Sequence, residues 1–113
     1  MRAGRLVVDT GLHALSWTRD QAIAYMVDHV GESPLFMTAE VDRYLSMPGQ
    51  ALAYMVGQLH ILKLRDGARQ ALGERFDLRR FNNAAIDQGA LPLDVLSAQI
   101  DDWLAAERAR PVA

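Results

Sequence analysis

The sequence predicts an all-α fold of about six helices, most of them antiparallel neighbours, and three observations predict it. Apolar residues recur at three- and four-residue steps in almost every segment. The only β-like signal is the pair Val7-Val8. Capping residues, prolines and glycines punctuate the helical stretches, leaving connections of two to seven residues.

The elements follow in order. Residues 3 to 16 place Leu, Val and Ala around a turn without an internal proline. This first helix has no N-cap signal, because Met1-Arg2-Ala3-Gly4-Arg5 runs straight into the helical pattern. Two readings stay open: a frayed terminus, or a chain that is the back end of something longer. Thr18-Arg19-Asp20-Gln21 is a capping box that opens the second helix, QAIAYMVDHV. Ile23, Met26, Val27 and Val30 form its apolar stripe, and Gly31 its C′ residue. Glu32-Ser33-Pro34 breaks the chain, and Thr38 caps a short third helix, AEVDRYLSM. Pro48 opens the fourth and longest helix, from about residue 48 to 72, which ends at Gly73. Its stripe is Leu52, Met55, Val56, Leu59 and Leu62. Asp77 caps the fifth, LRRFNNAAIDQ, closed by Gly89. Pro92 opens the sixth, LDVLSAQIDDWLAAERA, with Leu93, Leu96, Ile100, Trp103 and Leu104 on one face.

Length and composition bound the function. At 113 residues, residues 1–113 form at most a single helical domain, or a fragment of one. Half the residues are hydrophobic, so a core is affordable in composition, although so short a chain buries a modest share of its surface. A net charge of -2 gives no electrostatic case for nucleic acid or for an anionic membrane. The absence of cysteine excludes disulfides, thiol catalysis and Cys-type zinc sites. Asp9 and His13 interrupt the only stretch resembling a signal peptide, and no compartment is assigned. The longest apolar candidate, ALAYMVGQLHILKL, carries Gln58, His60 and Lys63, and no run approaches the ~18 apolar residues of a spanning helix.

Two constellations carry possible chemistry. Val-Val-Asp-Thr-Gly, residues 7 to 11, reads like an aspartic-protease loop. That chemistry needs two carboxylates on loops between strands, and here there is one such triplet and no strand framework. On a helix, Arg5, Asp9 and His13 lie at i, i+4 and i+8 on one face. Asp9 would then hold Arg5 on one side and orient His13 on the other, preparing the imidazole to donate. The alternative is a solvated row of ion pairs worth a few tenths of a kcal/mol each. Gly11 inside the helix suggests close approach of another backbone or a ligand. The second constellation is MPGQALAYMVGQ, where Gln50, Tyr54 and Gly57 share a face. If buried, the hydroxyl of Tyr54 would need a partner or a substrate; the alternative is core packing with a helix contact over Gly57. The three histidines, His13, His29 and His60, are spaced for no self-contained zinc site. His29 reads as a helix C-terminal residue and His60 as an ordinary helical one. GARQALG is spaced for neither a phosphate loop nor a nucleophile elbow.

RLVVDTGLHALSWTRDQAIAYM, EVDRYLSMPGQALAYMVGQLHILKLR and FDLRRFNNAAIDQGALPLDVLSAQIDDWL, in that order, resemble the C-terminal portion of the domain-of-unknown-function 885 family, from about Arg5 to Leu104. The resemblance implies large bacterial proteins similar to zinc metallopeptidases of the carboxypeptidase type, with a zincin-like helical fold, often exported. It implies zinc for the full-length protein, held by a His-Glu stretch and a further glutamate upstream, neither matched here. This chain would be roughly the last fifth of a family member, restarted at an internal methionine, inactive alone and without metal ligands or cofactor of its own. By analogy His13 and Tyr54 would stabilise the oxyanion, Asp9 would orient His13, and Arg5 and Gln50 would bind a peptide substrate. The partner would be the missing N-terminal catalytic part, with no nucleic acid and no membrane. The rival is a free-standing helical interaction module that forms a homodimer, since either reading leaves apolar faces to cover. The resemblance also implies a basic residue after PGQALAY, where Met55 stands, and a histidine within RRFNNAAIDQG, where Asn82-Asn83 stand.

Overall fold

A computed structural model describes residues 1–112. Among them six α-helices form and no strand does. No helix among the described residues is long and apolar enough to cross a membrane. The chain divides into two compact units, Met1–Val56 and Gly57–Ala113, each with its own core.

In the first unit α1 spans Arg2–Ala14, α2 Arg19–Val30 and α3 Pro34–Ser46. Val8, Ala22, Met26, Met37, Val41, Tyr44 and Ala51 form the core, and Leu12, Trp17, Ile23, Val27 and Val30 pack onto it. The stripe read on α2 is therefore the face that is buried. Each large apolar side chain wholly removed from water stabilises by about 1.5–3 kcal/mol. The box at Thr18 forms as its sequence implies. Its hydroxyl accepts from Gln21 N–H at 3.2 Å, and the Gln21 amide oxygen accepts from Thr18 N–H at 2.8 Å.

The start of α3 is a correction. Ser33-Pro34 starts the helix rather than breaking the chain: the Ser33 hydroxyl accepts from Phe36 N–H at 3.3 Å, and Pro34 is the first helical residue. Proline there loses no hydrogen bond, because the first N–H groups of a helix have no intrahelical partner. Thr38 lies one turn inside, its hydroxyl donating to the Pro34 carbonyl at 2.8 Å. Pro48 is a second correction. Met47-Pro48-Gly49-Gln50 is a tight turn closed by Gln50 N–H on Met47 O at 3.2 Å, with Gly49 at φ 82°. Proline and then a positive-φ glycine at the two central positions is the type II signature. A short 3₁₀ turn, Gln50–Leu52, follows, and α4 runs only over Ala53–Leu72.

Gly11 does mark a close approach, but of neither a backbone nor a ligand. A Cβ there would lie 2.4 Å from Cδ2 of Trp17, whose indole lies against the helix. Trp17 N–H also donates to Gly11 O at 2.9 Å, which turns the chain after α1.

The second unit contains the rest of α4, a 3₁₀ turn at Gly73–Arg75, α5 (Leu78–Ile86) and α6 (Leu93–Ala109). Asp77 caps α5 as expected, accepting from the N–H groups of Arg79 and Arg80 at 2.8 and 3.3 Å. Ala68, Phe81, Ala84, Leu96 and Ile100 are buried, with Trp103 and Leu104 packed onto them, as the pattern on α6 implied. The stripe read on α4 fares differently. Burial along that helix is confined to Ala68 and Leu72, while Val56 and Leu59 are exposed. No atom lies within 4 Å of a Cβ built on Gly57, so no helix contact forms over it.

Candidate functional site

The polar centre of the first unit is built by α3. Glu40, Arg43 and Tyr44 fall at i, i+3 and i+4, so their side chains share one face. Tyr44 is buried, and its hydroxyl donates to Glu40 Oε2 at 2.9 Å. Arg5 reaches across from α1, giving Nε to the Tyr44 hydroxyl at 3.1 Å and Nη2 to Glu40 at 2.9 Å. Arg43 gives two hydrogen bonds to the same carboxylate and a third, from Nη1, to the Gln50 amide oxygen at 2.7 Å. The hydrogen bonds from Arg43, then those from Tyr44 and the charge of Arg5, hold the Glu40 carboxyl below the usual carboxylate range against the opposing effect of burial. Burial first, and then the bond to Glu40, pushes the Tyr44 phenol up.

Tyr54, on the first turn of α4, lies over this centre. Its ring is 5.3 Å from the guanidinium carbon of Arg5 and 5.9 Å from that of Arg2. The residue is 49% exposed rather than buried in a core. Arg5 thus contacts Tyr54 directly, and Gln50 joins the same centre through Arg43. His13 is not with them. Tyr54 contacts Arg2 and Arg5 in the first half of α1, and His13 stands in its last turn, eight residues and a rise of about 12 Å beyond Arg5.

The role assigned to Asp9 is also corrected. Both of its oxygens accept from Gly49 N–H at 3.1 Å, and the residue is buried. Among the described residues it bonds neither Arg5 nor His13. The four-residue spacing places the three on neighbouring turns, but Asp9 is turned inward, where it pins the Pro48-Gly49 turn. His13 is oriented instead by the Tyr44 carbonyl, to which Nε2–H donates at 3.1 Å. Sequence reasoning missed Glu40, Arg43 and Tyr44 as site residues. Their spacing in EVDRY was the available signal.

A family model described as bacterial protein of unknown function (DUF885) matches residues 1–100. The chain belongs to the DUF885 family. A crystal structure described as that of "the putative lipoprotein from Colwellia psychrerythraea" is 48% identical in sequence, with a TM-score of 0.91. The match covers 93% of this chain and 18% of that one, so this DUF885 chain spans under a fifth of its structural relative. No curated protein matches it.

Among the described residues no three of His, Asp and Glu come close enough to hold a metal ion. The histidines stand on α1, α2 and α4, each engaged locally: His29 Nδ1 meets Tyr25 O at 2.9 Å, and His60 Nε2 meets Ser97 Oγ at 2.7 Å. The last pair is not an activated nucleophile. Ser97 gives its own proton to Leu93 O at 3.0 Å, so His60 is the donor between them. Elsewhere in the second unit, Glu107 is a buried carboxylate paired with Arg80 and Arg110. Arg75 donates to the carbonyls of Glu107, Arg108 and Arg110, satisfying the C-terminal end of α6.

Proposed function

We propose that this DUF885 chain is the C-terminal helical segment of a longer zinc-dependent, carboxypeptidase-like peptidase, in which it completes the substrate cleft. One observation carries the reading: Arg2 and Arg5 lie over the ring of half-exposed Tyr54, beside a centre in which Arg43 holds Gln50, and among the described residues Glu40 is the only carboxylate bonded to these arginines. Such a surface suits a substrate that carries negative charge or develops it. The small share of the structural relative that the chain spans supports a longer parent fold, which in this reading is zincin-like and supplies the metal ligands. The lipoprotein description of that relative supports an exported protein.

In this reading Tyr54 donates its hydroxyl to the oxyanion formed at the scissile carbonyl. Arg5 and Gln50 bind substrate: Arg5 through Nη1, which its bonds to Tyr44 and Glu40 leave unspent, and Gln50 through its amide NH₂. His13 meets the peptide further along α1. Its Nε2–H is committed to Tyr44, so its outer nitrogen accepts a hydrogen bond when the ring is neutral and donates one as imidazolium. Asp9 holds the turn that presents Gln50 and Tyr54.

The test uses the full reading frame that encodes these residues, loaded with zinc and given an N-blocked dipeptide. Tyr54→Phe should lower kcat about 10²- to 10³-fold, the cost of one oxyanion donor. Hydrolysis unchanged in that variant, or absent from the zinc-loaded protein, would refute the proposal. The exposed apolar residues Val56, Leu59 and Ile61 of α4 also suit a homodimer of a free-standing module. A stable, inactive dimer encoded by a frame that starts at Met1 would favour that second reading.

A further inference from the structure

The donors around Tyr54 are unequally spent. Arg43 uses Nε, Nη1 and Nη2 on Glu40 and Gln50. Arg5 uses Nε and Nη2, and its Nη1 has no partner among the described residues. Arg2 makes no hydrogen bond or ion pair among them; its one contact is with the ring of Tyr54. Three guanidiniums against the single carboxylate of Glu40 leave a local charge of +2 (three minus one). The guanidinium carbons of Arg5, partly engaged, and of Arg2, without a hydrogen-bond partner among the described residues, lie 5.3 and 5.9 Å from the centroid of one exposed ring.

We infer that Arg2, with Nη1 of Arg5, binds a carboxylate beside Tyr54, and that this carboxylate is the free C-terminus of a peptide. A planar guanidinium matches a carboxylate with two parallel hydrogen bonds. The identity of the carboxylate rests on the peptidase reading. If Tyr54 serves the scissile carbonyl, the terminal carboxylate of a carboxypeptidase substrate belongs one residue away, roughly 3.3 Å along an extended chain. Glu40 and Tyr44 are positioning residues here: they engage Nε and Nη2 of Arg5 and leave Nη1 without a partner among the described residues.

The experiment is a titration of this chain at low salt, followed by amide chemical shifts, with N-acetyl-phenylalanine, N-acetyl-phenylalaninamide and inorganic phosphate as probes. The inference predicts saturable binding of the free acid, at least tenfold weaker binding of the amide, and phosphate weaker than the acid. Arg2→Gln should weaken the acid at least tenfold while leaving the spectrum of the unliganded chain unchanged away from Tyr54. Equal binding of acid and amide, or an acid affinity untouched by Arg2→Gln, would overturn the site. Phosphate binding tighter than the acid would overturn its assignment to peptide carboxylates. The readout needs no catalysis. Carboxylate binding without hydrolysis by the full frame would sink the peptidase reading and leave the site; hydrolysis without carboxylate binding would do the reverse.

Discussion

Glu40→Gln is the substitution whose consequences the structure specifies most fully. The Glu40 side chain is 16% exposed and accepts from Arg5, Arg43 and Tyr44. Glutamine keeps the shape and one acceptor oxygen but loses the charge that draws two guanidiniums together. A hydrogen bond to a charged group contributes about 1.5–3 kcal/mol. The Arg43 side chain is 33% exposed, so water screens its share and the low end applies, about 1.5 kcal/mol in all. That is roughly a tenfold change in the unfolding constant. The assay is urea unfolding followed by tryptophan fluorescence in a Trp103→Phe background, because Trp17 lies in the first unit and Trp103 in the second. The sign with pH follows from the depressed Glu40 carboxyl. A group whose folded pKa is lowered contributes above its unfolded value, near 4.3, and that contribution is lost as pH falls through the lower folded value. The difference between wild type and variant should therefore be full at pH 7 and shrink below about pH 4. No difference at pH 7, or one that persists undiminished into strong acid, would refute the electrostatic account of this centre.

Further substitutions test other links. Gly11→Ala improves helix propensity by up to ~1 kcal/mol but drives a methyl into the rigid indole of Trp17, where overpacking costs about 1–3 kcal/mol; thermal melts should show net destabilisation with altered Trp17 emission. Thr18→Ala removes the box at α2 and should cost about 1 kcal/mol in urea unfolding. Asp9→Ala releases the Pro48-Gly49 turn, with a loss of about 1–2 kcal/mol and faster proteolysis near residue 48. Arg19–Asp42, at 2.6 Å, is an exposed pair, so Asp42→Ala should leave the melting temperature unchanged within error.

Helix type and most caps were legible because they depend on neighbours in the chain. Thr18 with Gln21, Asp77 before α5 and the apolar face of α6 each carry their cause within a few residues. The errors at Ser33-Pro34 and Pro48-Gly49 share one reason: a proline marks a start or a turn according to what flanks it. Ser33 accepts a helix N–H, whereas Gly49 takes positive φ. The wiring of the site was not legible, because its partners lie far apart in sequence. Asp9 finds Gly49 forty residues on, and Arg5 finds Tyr44 thirty-nine residues on. Periodicity places Arg5, Asp9 and His13 on adjacent turns but does not say which of them turns inward. The stripe on α4 is real as periodicity, yet Val56 and Leu59 stay exposed. Within the peptidase reading, that face is covered by the remainder of the longer chain.

The central claim is that these residues complete the cleft of a longer metallopeptidase-like chain. Its most direct test is to sequence the DNA immediately upstream of the Met1 codon. The account predicts an open frame running several hundred codons upstream through a His-Glu metal motif. A stop codon and promoter directly before Met1 would contradict it.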